Sequence, residues 1–581
     1  MNNEQTKQTI SGNKRSIAPR PPINQGIDYS NATVAAHADI YNRLIARISP
    51  SNIISNPSGV ILNPFDTAPL SAVLCIWCNT TDPITVLVGN SDISLAVIPI
   101  QYQFTPSIGA NLVPIIGLVP ASSSNTASFE STEGNYTVAP PYSLITGPLP
   151  PGDSTEVSYG FLEMTSVIPT RETGPIGELY FMGNYERYLW AFDSQGIVRW
   201  YATKTIPTYN FVKLLNGKYI SVDQSNGAFK QLTQFDLIGR IYTVYILDNR
   251  AHHCLHQASN GNLIMDSEYS NGRPEEPSQE RTEEDGTSVI SLATGLELAY
   301  YDYIDVLDFN RKPRPYVPAE DDYDWLHLNQ SYLDTNHNLM IGSGRHQSCV
   351  FGVTADTNEL RFLIATHEGW DAAFERYLLT PVDSQGTPLY DFTKQEDIDA
   401  ANLDFWTWGQ HNCVEIPNED PDIVEMRVFD NGNFRSRDDA KSLYPYDNWS
   451  RTLCFKINLS LMTIEKTYEY GRAEVRSRGY SSFVGSQQGL PNGNLYTNFG
   501  GGIRNSDDHI ITETPGESDI YDPLSGDDAM GHILVQEIET STGNLVFEAV
   551  IRSGMYKTYE NWGPLFRYDC NCYRTYKLPI I

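Results

Sequence analysis

Residues 336–365 read NHNLMIGSGRHQSCVFGVTADTNELRFLIA. An apolar run, Leu339 to Ile341, follows an Asn-rich turn. A Gly-Ser-Gly turn, a second apolar run, an Asn-containing turn and a third run complete the stretch. Short apolar runs between such turn residues signal β-strands. The unit recurs, often after Asn-Gly, in six copies at 177–201, 216–245, 260–302, 336–365, 422–470 and 492–551. All-strand repeats of this size predict a β-propeller with one four-stranded sheet per blade, hence six blades. Polar, acid-rich stretches at 271–286, 431–449 and 503–530 read as loops inserted on a face.

Working outward, residues 55–165 show short strands between turn signals, as in SAVLCIWCNT and SLAVIPIQYQF, and predict a small β-sandwich. Residues 1–54 read as a polar flexible arm with a mildly helical AAHADIYNRLIARI at 35–48. The expected organisation is therefore an arm (1–54), a β-sandwich (55–165) and a six-bladed propeller (170–581) whose last strand is supplied by 570–581. The class is all-β, in keeping with 35 Tyr and 9 Trp among many turn residues.

A net charge of −31 argues against nucleic acid and anionic membrane as partners. An anionic substrate would need a local basic pocket, which draws attention to the few clustered His and Arg. No apolar run reaches the roughly 20 residues of a membrane helix. The polar N-terminus has no apolar h-region and by itself reads as cytoplasmic. Of the eight cysteines, Cys75 and Cys78 have CxxC spacing, but no second pair completes a zinc site. They read as buried thiols.

Three histidine motifs stand at equivalent places in adjacent repeats: Ala251-His252-His253-Cys254, Asp324-Trp325-Leu326-His327-Leu328-Asn329, and Trp408-Gly409-Gln410-His411-Asn412. Each precedes what reads as an inner strand, so the three should converge at the channel mouth. Arg345, beyond the Gly-Ser-Gly turn, can reach the same point. A planar guanidinium with neutral imidazoles suits an oxyanion with several oxygens. Three histidines could also hold zinc, but Arg345 would repel a dication, so no metal and no cofactor are expected. His346 should point to the opposite strand face from Arg345 and serve the structure. His256, His337, His367, His509 and His532 follow no partner pattern. The acidic DDYD at 321–324 reads as a solvated loop. Trp325, Trp406 and Trp408 adjoin the motifs, and wall of the mouth and core packing are both open for them. Tyr573 could reach the mouth from the closing strand.

These motifs resemble the PAPS-independent arylsulfate sulfotransferases of bacterial type. The resemblance rests on LNPFDTAPLSAV (62–73), VPIIGLVP (113–120), AFDSQGIVRWY (191–201), HHCLHQASNGNL (252–263), DWLHLNQ (324–330), SGRHQSCV (343–350), FWTWGQHNC (405–413) and VFDNGN (428–433). It covers the chain from about residue 55 onward. It implies a transferase moving a sulfuryl group from a phenolic sulfate ester to a phenol through a sulfohistidine, in ping-pong order. It implies His411 as nucleophile, and His253, His327 and Arg345 as the grip on the sulfuryl oxygens, with His252 the alternative to His253. Asn329 matches an active-site asparagine, and Trp325, Trp408 and Tyr573 complete the expected substrate contacts. Cys254 stands where the family has Asp. The rival expectation is a non-enzymatic propeller, a scaffold or binding protein that retains the motif. The family implies a periplasmic or extracellular setting, and the N-terminal region is the candidate contact for a homo-oligomer.

Overall fold

The computed structural model describes residues 25–131, 141–150, 163–168, 174–183, 188–207, 210–223, 230–268, 281–282, 286–314, 322–504, 530–552 and 572–581. The expected strand around 135–141, most of the inserts at 271–286 and 503–530, and His509 lie outside them. The described residues are mostly β, with α-helices at Ala32–Ala46 and Gln395–Asp404. No helix among them is long and apolar enough to cross a membrane.

Between residues 59 and 144 lie two antiparallel sheets. One joins Gly59–Leu62, Ser71–Cys78 and Gly109–Ile116. The other orders Ile100–Phe104, Ile84–Asn90, Asn125–Ser131 and Tyr142–Leu144. Alternate residues such as Val86, Val88, Ala127 and Phe129 are buried in one shared core, the period-two signature of a half-covered sheet. Cys75 and Cys78 are buried here as free thiols, and burial pushes both up to about 11.

Six further sheets of four or five strands follow among the described residues. Each begins with a short strand: Arg574–Pro579 for the first, then Phe211–Lys213, Arg250–Gln257, Leu328–Asp334, His411–Ile416 and Ser486–Gly489. These opening strands touch in turn from Phe211–Lys213 round to Arg574–Pro579. The circuit closes where the Phe211 and Tyr576 rings meet at 5.2 Å and Lys213 Nζ donates to the Pro579 carbonyl at 3.0 Å. As expected, the C-terminal segment completes the first sheet, with Arg574–Pro579 antiparallel to Glu178–Gly183. Glu163–Ile168 forms the outer strand of the sixth sheet by pairing with Asn544–Arg552. Two strands distant in sequence from the sheets they join thus tie the circuit together.

The repeat also lies one strand out of step. The Asn-Gly-led runs, such as Leu263–Glu268 and Leu339–Gly344, are second strands. Three of the opening strands, Arg250–Gln257, Leu328–Asp334 and His411–Ile416, carry polar residues and a bulge, so they do not alternate as strands usually do. The Gly-Ser-Gly segment is itself strand, and the turn is Arg345–Ser348. Gly342 and Gly344 are needed for close approach: a Cβ on Gly344 would stand 2.3 Å from the Leu326 side chain.

The expected flexible arm is docked from residue 25 onward. Gly26–Ile27 adds an edge strand to Ile241–Ile246. Asn31 caps the following helix by accepting from the Thr33 and Val34 amides. Leu44 enters the core and His37 Nδ1 accepts the Ile241 N–H at 2.9 Å, so burying one helix face outweighs the entropy of docking.

Candidate active site

All three histidine motifs sit where an opening strand loses register with its neighbour. In the third sheet Ala251 pairs with Ser267 and Leu255 with Met265, so His252, His253 and Cys254 stand opposite Asp266 alone. In the fourth, Asn329 is the unpaired residue between Leu328 and Gln330. In the fifth it is Asn412, between His411 and Cys413. Bulges turn side chains out of the sheet's alternation and recur beside functional sites. His327 (φ 49°) and Asn412 (φ 47°) also adopt left-handed backbone, a strain that residues without glycine's freedom bear only where the surroundings impose it.

His411 is buried and its tautomer is set. Its Nδ1 lies 2.7 Å from Asn431 Oδ1 and 3.2 Å from the Gly409 carbonyl. Asn431 Nδ2 donates to the Ser481 and Val484 carbonyls, both at 2.8 Å, which identifies its oxygen as the atom facing the ring. With two acceptors at Nδ1, the proton resides there and Nε2 carries the lone pair. Only the Val484 amide approaches Nε2 among the described residues, at a long 3.3 Å. Burial first, then Arg345, holds the His411 pKa well below the ordinary histidine range, with the Asn431 hydrogen bond opposing and Arg574 and His327 adding to the depression. A neutral, directed imidazole results.

Beside it, His253 Nε2 and His327 Nε2 face each other at 3.1 Å. His327 Nδ1 is 2.6 Å from Asp324 Oδ2. The His252 ring packs against His253 with centroids 3.4 Å apart. Burial depresses both His252 and His253 well below the usual range, reinforced in His253 by His252, His327, His411 and Arg574. The backbone amide of Arg345 donates to the His327 carbonyl at 3.1 Å, so strand pairing does bring the two motif ends together.

His346 is not on the far face. Arg345–Ser348 is a turn, where strand alternation does not apply. His346 Nε2 accepts from Arg345 Nη1 at 2.9 Å, and its Nδ1 donates to the Asp324 carbonyl at 2.8 Å. Its ring stands 4.6 Å from that of His327. Burial lowers its pKa to about 4. One ring nitrogen each from His327 and His346 and a carboxylate oxygen of Asp324 lie within 4.8 Å of one another, a spacing that could hold a metal. Each Nδ1 is already engaged with Asp324, however, and the Arg345 guanidinium is bonded to the same cluster.

Tyr573 does reach this point. Its ring stacks on His253 (4.6 Å, 7°) and meets His411 edge-on at 5.7 Å. Its hydroxyl donates to the Asn329 carbonyl at 3.1 Å, as does Arg574 Nη2. Asn329 Nδ2 donates to the Gln410 carbonyl at 2.6 Å, next to His411, while its Oδ1 has no partner among the described residues. The Trp325 and Trp408 indoles are both wholly buried, and their N–H groups donate to the Arg311 and Asn402 carbonyls. They anchor the motif loops from below. Cys254 is buried, accepts from Gln330 Nε2 at 2.8 Å and makes no described contact with the His253 ring.

Sequence reasoning missed Asn431, Asp324 as a histidine partner, and Arg574. Asn431 lies within the quoted VFDNGN motif but reads there as a turn residue. Arg574 follows Tyr573, and only the closure of the circuit brings it inward.

The sequence model of the arylsulfotransferase (ASST) family matches residues 166–562, and that of the arylsulfotransferase Ig-like domain matches residues 59–147. Two relatives named arylsulfate sulfotransferase AssT, from Lelliottia amnigena and from Escherichia coli O6:H1, are each 29% identical over 160 residues. That match covers 27% of this chain and 24% of each relative, about a quarter of their length. Among solved structures, the periplasmic gluconolactonase PpgL of Pseudomonas aeruginosa overlaps 64% of this chain and 81% of its own, at 10% identity and a TM-score of 0.30. Virginiamycin B lyase of Staphylococcus aureus overlaps 76% and 96%, at 10% identity and a TM-score of 0.28.

Proposed function

Because this chain belongs to the arylsulfotransferase family, we propose that it moves a sulfuryl group from a phenolic sulfate ester to a phenolic acceptor through a sulfohistidine on His411. The observation that carries the reading is the fixed tautomer of His411, whose Nε2 lone pair is kept available by Asn431. In the first half-reaction Nε2 attacks sulfur, the N–S bond forms and the S–O bond to the phenol breaks. In the second, an acceptor phenol takes the group and restores His411. Splitting one displacement into two needs a nucleophile that is also a good leaving group, and a neutral imidazole is both. The six sheets of the circuit are, on this reading, the blades of a six-bladed propeller, and the two sheets before them are its N-terminal sandwich.

Sulfuryl transfer resembles phosphoryl transfer in asking mainly for in-line positioning and for donors to the equatorial oxygens. Arg345 takes that part, with His253 and His327 beside the reacting group and His252 behind His253. Asn329 and Tyr573 shape the substrate side, the Tyr573 ring offering the aromatic surface that the buried tryptophans do not. Mixing the protein with an aryl sulfate and a phenol should release the donor phenol and form the acceptor sulfate. No release from any aryl sulfate would contradict the reading.

Arg345→Ala should lower turnover by roughly 10²–10³-fold, as loss of one preorganised donor to a developing oxyanion does. Turnover within a few-fold of the parent would remove Arg345 from the grip.

The depressed pKa of His411 sets the sign of a pH effect. The nucleophile acts unprotonated, so a lowered pKa extends activity toward acid. The single-turnover burst of phenol should stay level as pH falls through about 6.5, where an ordinary histidine titrates. A burst that halves near that pH would show an unperturbed His411.

A further inference from the structure

Neither half-reaction as written supplies the proton that a poor leaving group needs. Departure of an alkaline phenoxide is slow unless it is protonated as the S–O bond breaks. The donor must be a cation beforehand, because a neutral imidazole does not surrender its last proton. His411 is committed as nucleophile. His252, His253 and His346 are driven toward neutrality by burial and by nearby positive groups. His327 has Asp324 Oδ2 at 2.6 Å from Nδ1, and the same oxygen lies farther, at 3.3 Å, from His346 Nδ1. The chain contains its own comparison: His337 has Asp334 Oδ2 at the same 2.6 Å and the same spacing of three residues. Burial opposes the charge there, yet the Asp420 carbonyl and Asp334 together raise its pKa.

We propose that Asp324 is a positioning residue that holds His327 as the imidazolium, making His327 Nε2–H the general acid for the departing phenol, with neutral His253 as its resting acceptor. The inference rests on the transferase reading above and assigns the proton within it. Before reaction, Nδ1–H points to Asp324 and Nε2–H bridges the 3.1 Å to His253 Nε2. As Nε2 of His411 bonds to sulfur and the S–O bond breaks, the bridging proton passes to the phenol oxygen. His327 is left neutral with its Nδ1–H still on Asp324. In the second half-reaction the acceptor phenol returns a proton to His327 Nε2 as its oxygen bonds to sulfur and the N–S bond breaks. No other reactant is required, and the site ends as it began. The Asp324 backbone carbonyl also receives His346 Nδ1–H, whose Nε2 in turn accepts from Arg345. One residue thus orients both the acid and, through His346, the guanidinium.

The test compares Asp324→Asn with the parent protein on a series of aryl sulfates that differ only in the acidity of the phenol released. A general acid matters most for the least acidic phenol. The variant should release phenol from phenyl sulfate about 100-fold more slowly, within the usual range for losing general acid catalysis. It should release 4-nitrophenol from its sulfate only a few-fold more slowly, and still deposit the sulfuryl group on His411 from that ester. Equal loss across the series would overturn the assignment, since misplaced side chains slow every ester alike. Equal activity with the parent would overturn it too. A parent protein inert toward every ester overturns the transferase reading itself and the inference with it.

Discussion

His411→Ala is expected to lower sulfuryl transfer by roughly 10⁵-fold or more, because removal of a covalent nucleophile eliminates the two-step route and not merely a favourable contact. The geometry says why neighbours cannot substitute. His253 and His327 turn their Nε2 atoms toward each other, and His346 Nε2 is occupied by Arg345. Only the His411 ring has its proton held on the far nitrogen by an amide that is itself locked. Truncation also removes the ring's contacts to Asn431 and Val484 and leaves the buried Asn431 oxygen unpaired, costing roughly 1–3 kcal/mol. The variant should fold, with a lowered unfolding midpoint. A folded variant with near-parental turnover would exclude His411 as nucleophile.

The second large effect is on stability. Asp430→Ala should destabilise the protein by roughly 3–5 kcal/mol, the usual cost of breaking a buried ion pair from one side. Asp430 is fully buried and accepts four hydrogen bonds: the Trp408 and Gly432 amides through Oδ1, and Arg435 Nη1 and Arg451 Nε through Oδ2. Both guanidiniums have no exposed side-chain surface. Burial works to raise the carboxyl's pKa, but the two arginines and the Trp408 amide outweigh it and hold it below the usual range. Its stabilising contribution is therefore present above about pH 3.9 and lost as pH falls through the lower folded value. The carboxylate also anchors Trp408, three residues before His411, and Gly409 there has φ +58° with Asn433 closing the space a side chain would need. Any folded Asp430→Ala protein should therefore lose activity as well as stability. Thermal unfolding and phenol release measured together check both, and an unchanged unfolding midpoint would contradict the account.

Much of this was legible in the chain, for identifiable reasons. The repeat is visible because second and third strands, such as Leu339–Gly344 and Cys349–Thr354, are buried on both faces and read as apolar runs between turns. The opening strands are not, because RAHHCLHQ at 250–257 is polar and bulged, which displaced the expected repeat by one strand. The histidines were found because bulges at equivalent places leave motifs at equivalent places. His346 was misplaced because a turn was read as strand. Trp325 and Trp408 lie beside the site in sequence and beneath it in space, which proximity along the chain does not distinguish. Asn431 and Arg574 depend on pairings across 20 and on chain closure across 244 residues or more, and no local pattern encodes either.

The most direct test is to incubate the protein with an aryl sulfate and no acceptor, quench in alkali, digest, and map the sulfuryl group by mass spectrometry. The account predicts the added group on the peptide carrying His411, and its loss when a phenol is added before quenching. A group found on another residue, or released phenol with no modified peptide at any time, would contradict the sulfohistidine at the centre of this reading.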